Sequence, residues 1–588
     1  MSARSESSLL RADITVIALA VIVGVGFSQF LTSAQSPFTE AVFISPSVSR
    51  LPEYALLSLT RSIIALCLSM VFAILYGTLA ANNKILEKTL MPLADVLQSL
   101  PVIAFLPGFV LALISLFHGN RLGLEISCIL TIFTGQVWNL IFAYYESQKS
   151  IPPEFREVAQ VYRLSHTHRF FFVELPNGMR PLIYNGMMSM AGGWFFLTTC
   201  EAFTLGNKDF RLPGLGSYLA QTFTDGYYFN FLCGIAVLII IIIGTDFFIW
   251  KPLVAWVSRF QESEDGQGRE GSLFFETIKN TQLLHLFVVC TKRVLMFLFP
   301  RTDLTEEGST RRHLIGIIDK IIQFFARFRG GQTPRKDRIK RFSFVPLVVT
   351  FSIGGLVFSL LPRLPEVGQS MSTLTHDDWF DLIHGVFFTG LKVFLVVIFS
   401  SLWTVPIGLY LGLNPRLERI FQPLIQNLAA FPAPVLFPFI ALILISIKLP
   451  PFFISTILMC LGCQWYILFN VMGGASRIPA DLKLVSKVYQ FSVFKRFHTL
   501  YLPAILPSFI TGLMTAAGAA WNASMVAEIV YHPAGVLRSA GIGAELVEAS
   551  AHGNYPKLIA GIICIVIVLV IINRTVWRTL NLSTERYE

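Results

Sequence analysis

The stretch Ile151–Pro176, IPPEFREVAQVYRLSHTHRFFFVELP, is a polar, cation-rich loop between long apolar segments, and it occurs twice. It returns in the second half of the chain as Ile478–Pro503, IPADLKLVSKVYQFSVFKRFHTLYLP, with ten of 26 aligned positions identical and no gap. We call these segments the first and the second repeated loop. Chance explains so many matches poorly, so the loops predict that the chain contains two copies of one unit.

The repeat continues on both sides of the loops. Upstream of the loops, each residue of the first copy matches the residue that lies a constant number of positions later in the chain. Downstream of the loops this number is slightly smaller, because the second copy has a shorter turn near Lys448. The matched pairs include Gly77 with Gly408, Pro101 with Pro432, Trp194 with Trp521 and Glu201 with Glu528. Both copies run in the same direction, which indicates a tandem duplication.

The composition is that of an integral membrane protein. Hydrophobic residues make up 54% of the chain, charged residues make up 14%, and the mean hydropathy is +0.63. A helix that crosses the hydrocarbon needs about 20 mostly apolar residues, and many segments reach that length. The composition therefore predicts an all-α fold that crosses the membrane several times.

The apolar segments predict about 12 transmembrane helices, six in each copy. They fall at about 14–31, 54–80, 92–117, 122–144, 181–205 and 231–257, and at 344–362, 383–412, 423–447, 451–471, 507–531 and 556–580. The excess of Lys and Arg places the repeated loops and both chain ends in the cytoplasm. The predicted domains are 1–257 and 343–588, each with six spans, joined by a cytoplasmic linker at 258–342.

The net charge of +10 does not indicate a nucleic-acid-binding protein. The linker 258–342 alone holds 16 Lys or Arg against 10 Asp or Glu, so topology accounts for much of the excess. Apolar residues recur at helical spacing from Leu314 to Phe328 with basic residues among them. This pattern predicts an amphipathic helix that lies on the inner leaflet and contacts membrane lipids.

Motifs for covalent chemistry are missing from the sequence. It contains no GxxxxGK[ST], HExxH or GxSxG motif. Cys460 and Cys463 form a CxxC motif, but it lies in an apolar segment without a second ligand pair, which favours packing over a metal site. We therefore expect no catalytic residue and no metal ion in this chain.

The repeated loops resemble the signature loop of permease subunits of binding-protein-dependent ABC importers. The family pattern is E-A-A, three residues, G, nine residues and I-x-L-P. The matching residues in the first loop are Glu157-Val158-Ala159, Arg163 and Val173-Glu174-Leu175-Pro176. Those in the second loop are Leu484-Val485-Ser486, Gln490 and Leu500-Tyr501-Leu502-Pro503. The segments GGWFFLTTCEAF and GAAWNASMVAEIV, with GLG at 214 and GIG at 541, are similar to the nitrate, sulfonate, taurine and bicarbonate branch.

The resemblance implies two tandem six-helix permease domains of the type I ABC importer kind, as in the fused anion-transport permeases of that branch. It implies a translocation pathway for a small anion in the bacterial plasma membrane. The implied partners are separate ABC ATPase subunits, most simply two, and an extracytoplasmic substrate-binding protein. ATP and Mg²⁺ would bind to the ATPase subunits, and no cofactor would bind to this chain.

The resemblance also implies that each repeated loop forms a short coupling helix that docks in a cleft of an ATPase subunit. Such a helix needs a polar face for its partner and an anchor at the membrane. The candidate coupling residues are Glu157, Ala159, Tyr162, Arg163 and Ser165 in the first loop and Leu484, Ser486, Tyr489, Gln490 and Ser492 in the second. Arg163 and Gln490 replace the family's glycine and Leu484 replaces its acidic residue, so we expect the loops to couple unequally.

The candidates for the pathway or its gate are Trp194, Glu201, Trp521, Asn522, Ser524 and Glu528. Each glutamate lies about 20 residues, or ~30 Å, along its span. Acidic groups repel anions, so a structural or gating role is favoured for both. Two other functions stay open. A secondary transporter also contains internal repeats but predicts ionisable residues at the midplane, and a membrane scaffold or sensor would use the loops only for docking.

Overall fold

A computed structural model describes residues 21, 24–36, 42–98, 101–117, 120–162, 164, 166–205, 208–257, 369, 371–533, 535–577 and 579–580. The predicted linker 258–342, with its amphipathic helix, and the predicted span 344–362 lie outside these residues. Half of the predicted span 14–31 also lies outside them. The described residues therefore belong mainly to the two repeated membrane units.

The main helices of the first unit recur in the second in the same order, so that α1–α8 correspond to α9–α16. The first set is α1 Leu51–Asn82, α2 Lys84–Gln98, α3 Val102–Leu116, α4 Leu122–Lys149, α5 Pro153–Val161, α6 Leu175–Glu201, α7 Leu215–Thr224 and α8 Tyr228–Thr245. The second set is α9 His376–Gly412, α10 Pro415–Ala430, α11 Ala433–Ser446, α12 Pro451–Ser476, α13 Ala480–Val488, α14 Leu502–Ala527, α15 Ile542–Ala551 and α16 Tyr555–Ile572.

A two-stranded hairpin follows α6 and another follows α14. In the first hairpin, β1 Thr204–Leu205 pairs antiparallel with β2 Lys208–Asp209. In the second, β3 Ile529–His532 pairs antiparallel with β4 Gly535–Arg538, with Ile529 opposite Arg538. Each hairpin leads into a short helix, α7 or α15, so the same hairpin and short helix follow the loop-linked helix in both units.

Seven helical segments in the described part of the chain are long and apolar enough to cross a membrane. They are Val48–Asn82, Leu122–Lys149, Tyr228–Val257, His376–Gly412, Pro451–Ser476, Phe494–Ala527 and Tyr555–Trp577. The bent pair α10 and α11 raises the number to eight if it counts as one span. The prediction of an all-α, multi-pass membrane protein built from two tandem repeated units is confirmed, although the described residues do not contain all 12 predicted spans.

The predicted spans 92–117 and 423–447 are not continuous helices. In the second unit, α10 and α11 meet at an angle of 79°. Phe431 is extended there (φ −69°, ψ 125°), because the ring of Pro432 disfavours a helical conformation in the residue before it. In the first unit, Pro101 is itself extended (φ −70°, ψ 100°) just before α3. Each predicted span is therefore divided at a proline into two shorter helices.

The two units pack around their long helices and against each other. The closest packing within each unit joins α4 to α1 and α6, and α12 to α9 and α14. Between the units, α6 packs against α10 and α11, and α14 packs against α3. Because α6 and α14 each begin at the end of a repeated loop, these two helices connect the loops to the boundary between the units.

Four π-helical turns occupy equivalent places in the two units. Phe170–Glu174 precedes α6 and Asp246–Trp250 follows α8. Their counterparts, Phe497–Tyr501 and Asn573–Trp577, stand at the matched positions before α14 and after α16. A π turn inside a helix holds one more residue than an α turn and often marks a functional segment. The same irregularity is therefore present at two places in both units.

Candidate functional site

A large cavity of about 890 Å³ lies between the two units. Helices α2–α4 and α6 of the first unit and α9–α12, α14 and α16 of the second contribute to its wall. Polar side chains in the wall include Asp95, Asn139, Asn185, Thr515 and Asn522. A cavity of this size, enclosed by both units, is the place where a solute could lie within the membrane domain.

Two hydrogen bonds join the units at the wall of the large cavity. The backbone N–H of Val102 donates to Oδ1 of Asn522 over 2.8 Å. The side-chain amide of Asn573 donates to Oδ2 of Asp95 over 2.9 Å. All four residues line the cavity, so the contact between the units is part of its wall.

A small cavity of about 280 Å³ also lies between the units, along α6 and α14. Its lining comes from the two units in equivalent pairs, among them Pro107 with Pro438 and Leu219 with Leu546. Because equivalent residues of the two units share this lining, the small cavity lies on the pseudo-twofold axis that relates the units. Both cavities therefore lie at the boundary between the units.

Two of the six predicted pathway residues line the large cavity, namely Trp521 and Asn522. Trp194 is only 1% exposed, and Ser524 is fully buried. Neither of these two belongs to the described lining of either cavity. Glu201 and Glu528 are also fully buried and lie in ion-pair clusters outside that lining.

The first ion-pair cluster is built on Arg61, a fully buried residue of α1. Its Nε and Nη2 donate to the two carboxylate oxygens of Glu125 over 2.6 and 2.8 Å. Its Nη1 donates to Oε1 of Glu201 over 2.6 Å and to the carbonyl of Pro213 over 2.8 Å. A guanidinium suits this arrangement because its planar fork can serve two carboxylates at once.

Glu201 also holds the start of the next helix, α7. Its Oε2 accepts a hydrogen bond from the backbone N–H of Gly216 over 2.8 Å, and the hydroxyl of Ser58 donates to its Oε1 over 2.7 Å. A Cβ atom on Gly214 would overlap this carboxylate. The GLG sequence at 214 therefore gives a buried carboxylate direct access to the helix N-terminus, which favours negative charge.

The second cluster repeats this plan around Lys392 of α9. Its Nζ donates to Oε1 of Glu528 over 3.0 Å and to the hydroxyl of Ser539 over 2.8 Å. Thr389 donates to Glu528 over 2.7 Å, and the N–H of Gly543 donates to it over 2.8 Å. The centre of the Phe452 ring, on α12, lies 5.5 Å from the same Nζ, whereas α4 supplies Glu125 in the first unit.

The sequence prediction included the two glutamates but omitted Arg61, Glu125 and Lys392. A signal was present, because ionisable residues inside apolar segments are rare and need partners. Arg61 and Lys392 also match at the same offset that relates Gly77 to Gly408. A search for ionisable residues at matched offsets would therefore have found both basic residues.

The repeated loops contain short helices, α5 and α13, whose exposed side chains are largely apolar. Val158 and Tyr162 in the first loop are 51% and 75% exposed, and Leu484 and Tyr489 in the second are 57% and 71% exposed. The exposed side of the loops therefore carries apolar and aromatic residues as well as polar ones such as Glu157. Exposed apolar patches mark protein–protein or membrane contact sites.

The other predicted loop residues divide into anchoring and exposed positions. Ala159 and Ser486, at equivalent positions, are buried at 4% and 1% exposure. Gln490 and Ser492 are exposed. The side chains of Arg163 and Ser165 lie outside the described part of the structure. The helices α5 and α13 thus turn one equivalent small residue inward and an apolar-aromatic edge outward.

Gln490 has a left-handed backbone conformation, with φ of 48°. This is the position at which the family pattern has glycine. A left-handed conformation suits glycine and is strained in other residues, because their Cβ crowds the backbone. The second repeated loop therefore has a left-handed backbone at the glycine position of the family pattern, although Gln490 suits this conformation less well than glycine.

A surface ion pair supports the first loop only. Lys149 lies at the end of α4 and donates to Oε2 of Glu87 over 2.6 Å, while the hydroxyl of Tyr145 donates to Oε1 over 2.6 Å. These hydrogen bonds, that from Lys149 first, lower the pKa of Glu87 below its ordinary value. In the second unit, Ser476 and Met472 stand in place of Lys149 and Tyr145, so Glu418 lacks these two donors.

The chain belongs to the family of binding-protein-dependent transport system inner membrane components. The family matches residues 69–249 and 404–576, which together are more than half of the chain. The two matched ranges contain both repeated loops and most of both units. The predicted resemblance to an ABC importer permease is therefore confirmed, and so is the duplication of the permease unit.

Several curated permeases are similar to parts of the chain. The bicarbonate transport system permease protein CmpB of Synechococcus elongatus is 31% identical over 172 residues, which are 29% of this chain and 59% of that protein. The nitrate import permease protein NrtB of Synechocystis is 28% identical over 145 residues, or 24% and 50% of the two chains. The putative aliphatic sulfonates transport permease protein SsuC of Bacillus subtilis is 26% identical over 171 residues, or 28% and 55%. The chain thus spans about half to three fifths of these relatives.

Proposed function

We propose that this chain forms the translocation pathway of an ATP-driven importer for a small anion, such as nitrate, a sulfonate or taurine, or bicarbonate. The proposal is supported above all by two equivalent membrane units that enclose cavities between them and each present a repeated loop. The names of the relatives supply the class of solute. The chain lies in the bacterial plasma membrane with both termini in the cytoplasm.

Separate ATPase subunits supply the energy, one for each repeated loop. The exposed apolar edges around Tyr162 and Tyr489 fit into a cleft of each ATPase subunit. The candidate coupling residues of each repeated loop lie on this apolar edge or next to it. ATP and Mg²⁺ bind to the ATPase subunits, and a substrate-binding protein delivers the solute on the other side of the membrane.

Motion of the loops reaches the cavities through α6 and α14. Each helix begins at the end of a repeated loop and ends at a buried glutamate, Glu201 or Glu528. Closure of the ATPase subunits around ATP would shift both helices, because ATP binds the closed state more tightly than the open one. In this mechanism the two glutamates are positioning residues, and Trp521 and Asn522 contact the solute.

Copurification and transport test this proposal. The chain should copurify with an ATPase from native membranes, and the complex in liposomes, supplied with the substrate-binding protein, should take up anion only with ATP. Tyr162→Asp together with Tyr489→Asp should abolish copurification, because a charge would be buried in each cleft. The matched control is Phe43→Asp, since Phe43 is 86% exposed and lies outside both loops.

Uptake driven by an ion gradient without ATP would overturn the proposal in favour of a secondary transporter. Copurification without any uptake would indicate a scaffold or sensor. Both outcomes are read from the same liposomes, so one preparation separates the three functions.

A further inference from the structure

The two cavities have no positively charged side chain in their described lining. The large cavity is lined by two ionisable carboxylic acids, Asp95 and Glu146, and by no described base. The described lining of the small cavity contains no ionisable acid or base except the phenol of Tyr531. The cavities between the units are therefore negative or neutral along their described walls.

Three basic residues of the described units are held by partners outside the cavity linings. Arg61 and Lys392 are fully buried in their clusters, where carboxylates and backbone carbonyls take up their hydrogen bonds. Arg211 is paired with Asp209 over 2.5 Å. None of the three belongs to the described lining of a cavity.

Aromatic side chains form a substantial part of the wall of the large cavity. Ten of its described lining residues are aromatic, and they come from both units. Examples are Trp138 and Phe195 in the first unit and Phe394, Trp465 and Trp521 in the second. Such a wall offers apolar area and ring faces to a solute, and ring pairs prefer offset-stacked or edge-on contacts.

A bare inorganic oxyanion would gain only hydrogen bonds from this wall. Amide and hydroxyl groups such as those of Asn139, Asn185 and Thr515 can donate to it, but the described lining has no cation to offset its lost hydration. Asp95 and Glu146 would also repel it. An organic anion differs because burial of its body is favourable, by about fourfold in affinity for each buried CH₂ group.

We propose that the transported solute is an organic anion with an apolar or aromatic body, such as an alkyl or aryl sulfonate, and that the large cavity binds its body. This inference rests on the function proposed above. The cavity volume of about 890 Å³ suits a molecule with several carbon atoms far better than a four-atom ion.

Binding to the purified chain tests the inference without a substrate-binding protein. The chain is placed in lipid nanodiscs, and calorimetry measures the Kd values of benzenesulfonate, hexanesulfonate, nitrate and bicarbonate. We expect the two sulfonates to bind at least about tenfold more tightly than nitrate or bicarbonate, because only they bury an apolar body. Empty nanodiscs give the contribution of adsorption to lipid.

A pair of variants on α9 locates the site. Phe394 lines the large cavity, whereas Phe387 is outside its described lining, and the two are similarly exposed at 60% and 66%. Phe394→Ala should weaken benzenesulfonate binding about three- to tenfold through the lost ring contact. Phe387→Ala should leave the Kd unchanged.

Four results would overturn the inference: nitrate or bicarbonate binding as tightly as the sulfonates, no sulfonate binding, no change in Phe394→Ala, or equal effects of the two variants. Uptake by the complete transporter separates this failure from failure of the proposed function. ATP-driven uptake of nitrate or bicarbonate, but not of sulfonates, would refute only the inference. Absence of ATP-driven uptake of all four anions would refute the proposed function.

Discussion

The two units bury a basic residue at the same place but surround it with different partners. Arg61 lies between two carboxylates, those of Glu125 and Glu201. Lys392 has one carboxylate, that of Glu528, and the ring of Phe452. The glutamate at the end of α6 or α14 is therefore the constant part of the cluster, while the partner from α4 or α12 differs between the units.

The chemistry of each basic side chain matches its surroundings. Arginine donates through a planar fork and can hold Glu125 with two parallel hydrogen bonds while it reaches Glu201 with a third. Lysine is a compact charge that suits one carboxylate and an aromatic face. The first cluster therefore contains one more negative side chain than the second, so loss of its basic residue exposes a larger uncompensated charge.

The largest expected effect follows from removing these two basic residues. Arg61→Met should lower the free energy of unfolding by about 3–5 kcal/mol, because it leaves two buried carboxylates without a cation. Lys392→Met leaves one carboxylate that still accepts hydrogen bonds from Thr389 and Gly543, so its loss should be smaller. Thermal unfolding of the purified chain in detergent measures both.

Arg50→Met is the control for these variants. Arg50 forms an exposed ion pair with Glu53, so its replacement should not change the unfolding temperature measurably. Equal losses for Arg61→Met and Lys392→Met would contradict the view that the two clusters differ in charge balance.

A second test concerns the close contact between a glycine and the buried glutamate, which both clusters contain. Gly214→Ala and Gly541→Ala should each destabilise the protein by about 1–3 kcal/mol, because the added methyl group would overlap Glu201 or Glu528. The same unfolding assay applies. We expect similar losses of stability in the two units, because the N-terminus of α7 contacts the carboxylate of Glu201 and that of α15 contacts the carboxylate of Glu528.

Gly244→Ala and Gly473→Ala are matched controls, one in each unit. No described atom lies within 4 Å of a Cβ at either position. In a helix interior, alanine is favoured over glycine by roughly 0.5–1 kcal/mol, so neither control should destabilise. A large loss in only one of the two test variants would break the equivalence of the clusters.

The second repeated loop offers a smaller, stabilising change. Gln490→Gly should raise stability by about 0.5–1 kcal/mol, because relief of the left-handed strain, ~1–2 kcal/mol, exceeds the entropic loss of ~0.5–1 kcal/mol. Gln490→Ala should bring no gain, since alanine also has a Cβ. Unfolding by denaturant measures the difference, and an equal gain for both variants would refute strain as its cause.

The smallest effect distinguishes the surfaces near the two loops. The pKa of Glu87 is lowered in the folded protein, so its pairing stabilises the fold above the ordinary pKa of 4.5 and is lost as the pH falls through the folded pKa. Glu87→Gln should therefore cost less than about 1 kcal/mol near neutral pH and nothing in acid. Stability measured against pH checks this, and Glu418→Gln, which removes neither of these two hydrogen bonds, should leave the free energy of unfolding near neutral pH unchanged.

Much of the architecture could be predicted from matched positions in the sequence. The duplication, the membrane class and the two loops could be predicted from the offsets between matched residues and from the lengths of the apolar segments. The breaks at Pro101 and Pro432 were predictable in principle, since both prolines were matched across the units, but apolar length alone suggested continuous spans.

The contents of the site were harder to predict, because they depend on residues far apart in the chain. Arg61 and Glu201 are separated by 140 positions, and only packing of α1 against α6 brings them together. The apolar edge of the loops was missed because charged residues are frequent in the loop sequence, whereas orientation decides which side chains are exposed. The cavity linings were equally hard to predict, because residues of both units form them.

The hydrogen bond from Val102 to Asn522 also constrains the order of folding during synthesis. Its two residues are 420 positions apart, and those of the bond between Asp95 and Asn573 are 478 apart. At a ribosomal synthesis rate of about 5–20 residues per second, Asn522 is synthesised roughly 20–80 s after Val102. During this time the N–H of Val102 lacks this acceptor. The first unit must therefore remain in the membrane with its inner wall uncovered until the second unit arrives, and this interval is when a membrane chaperone would have access to it.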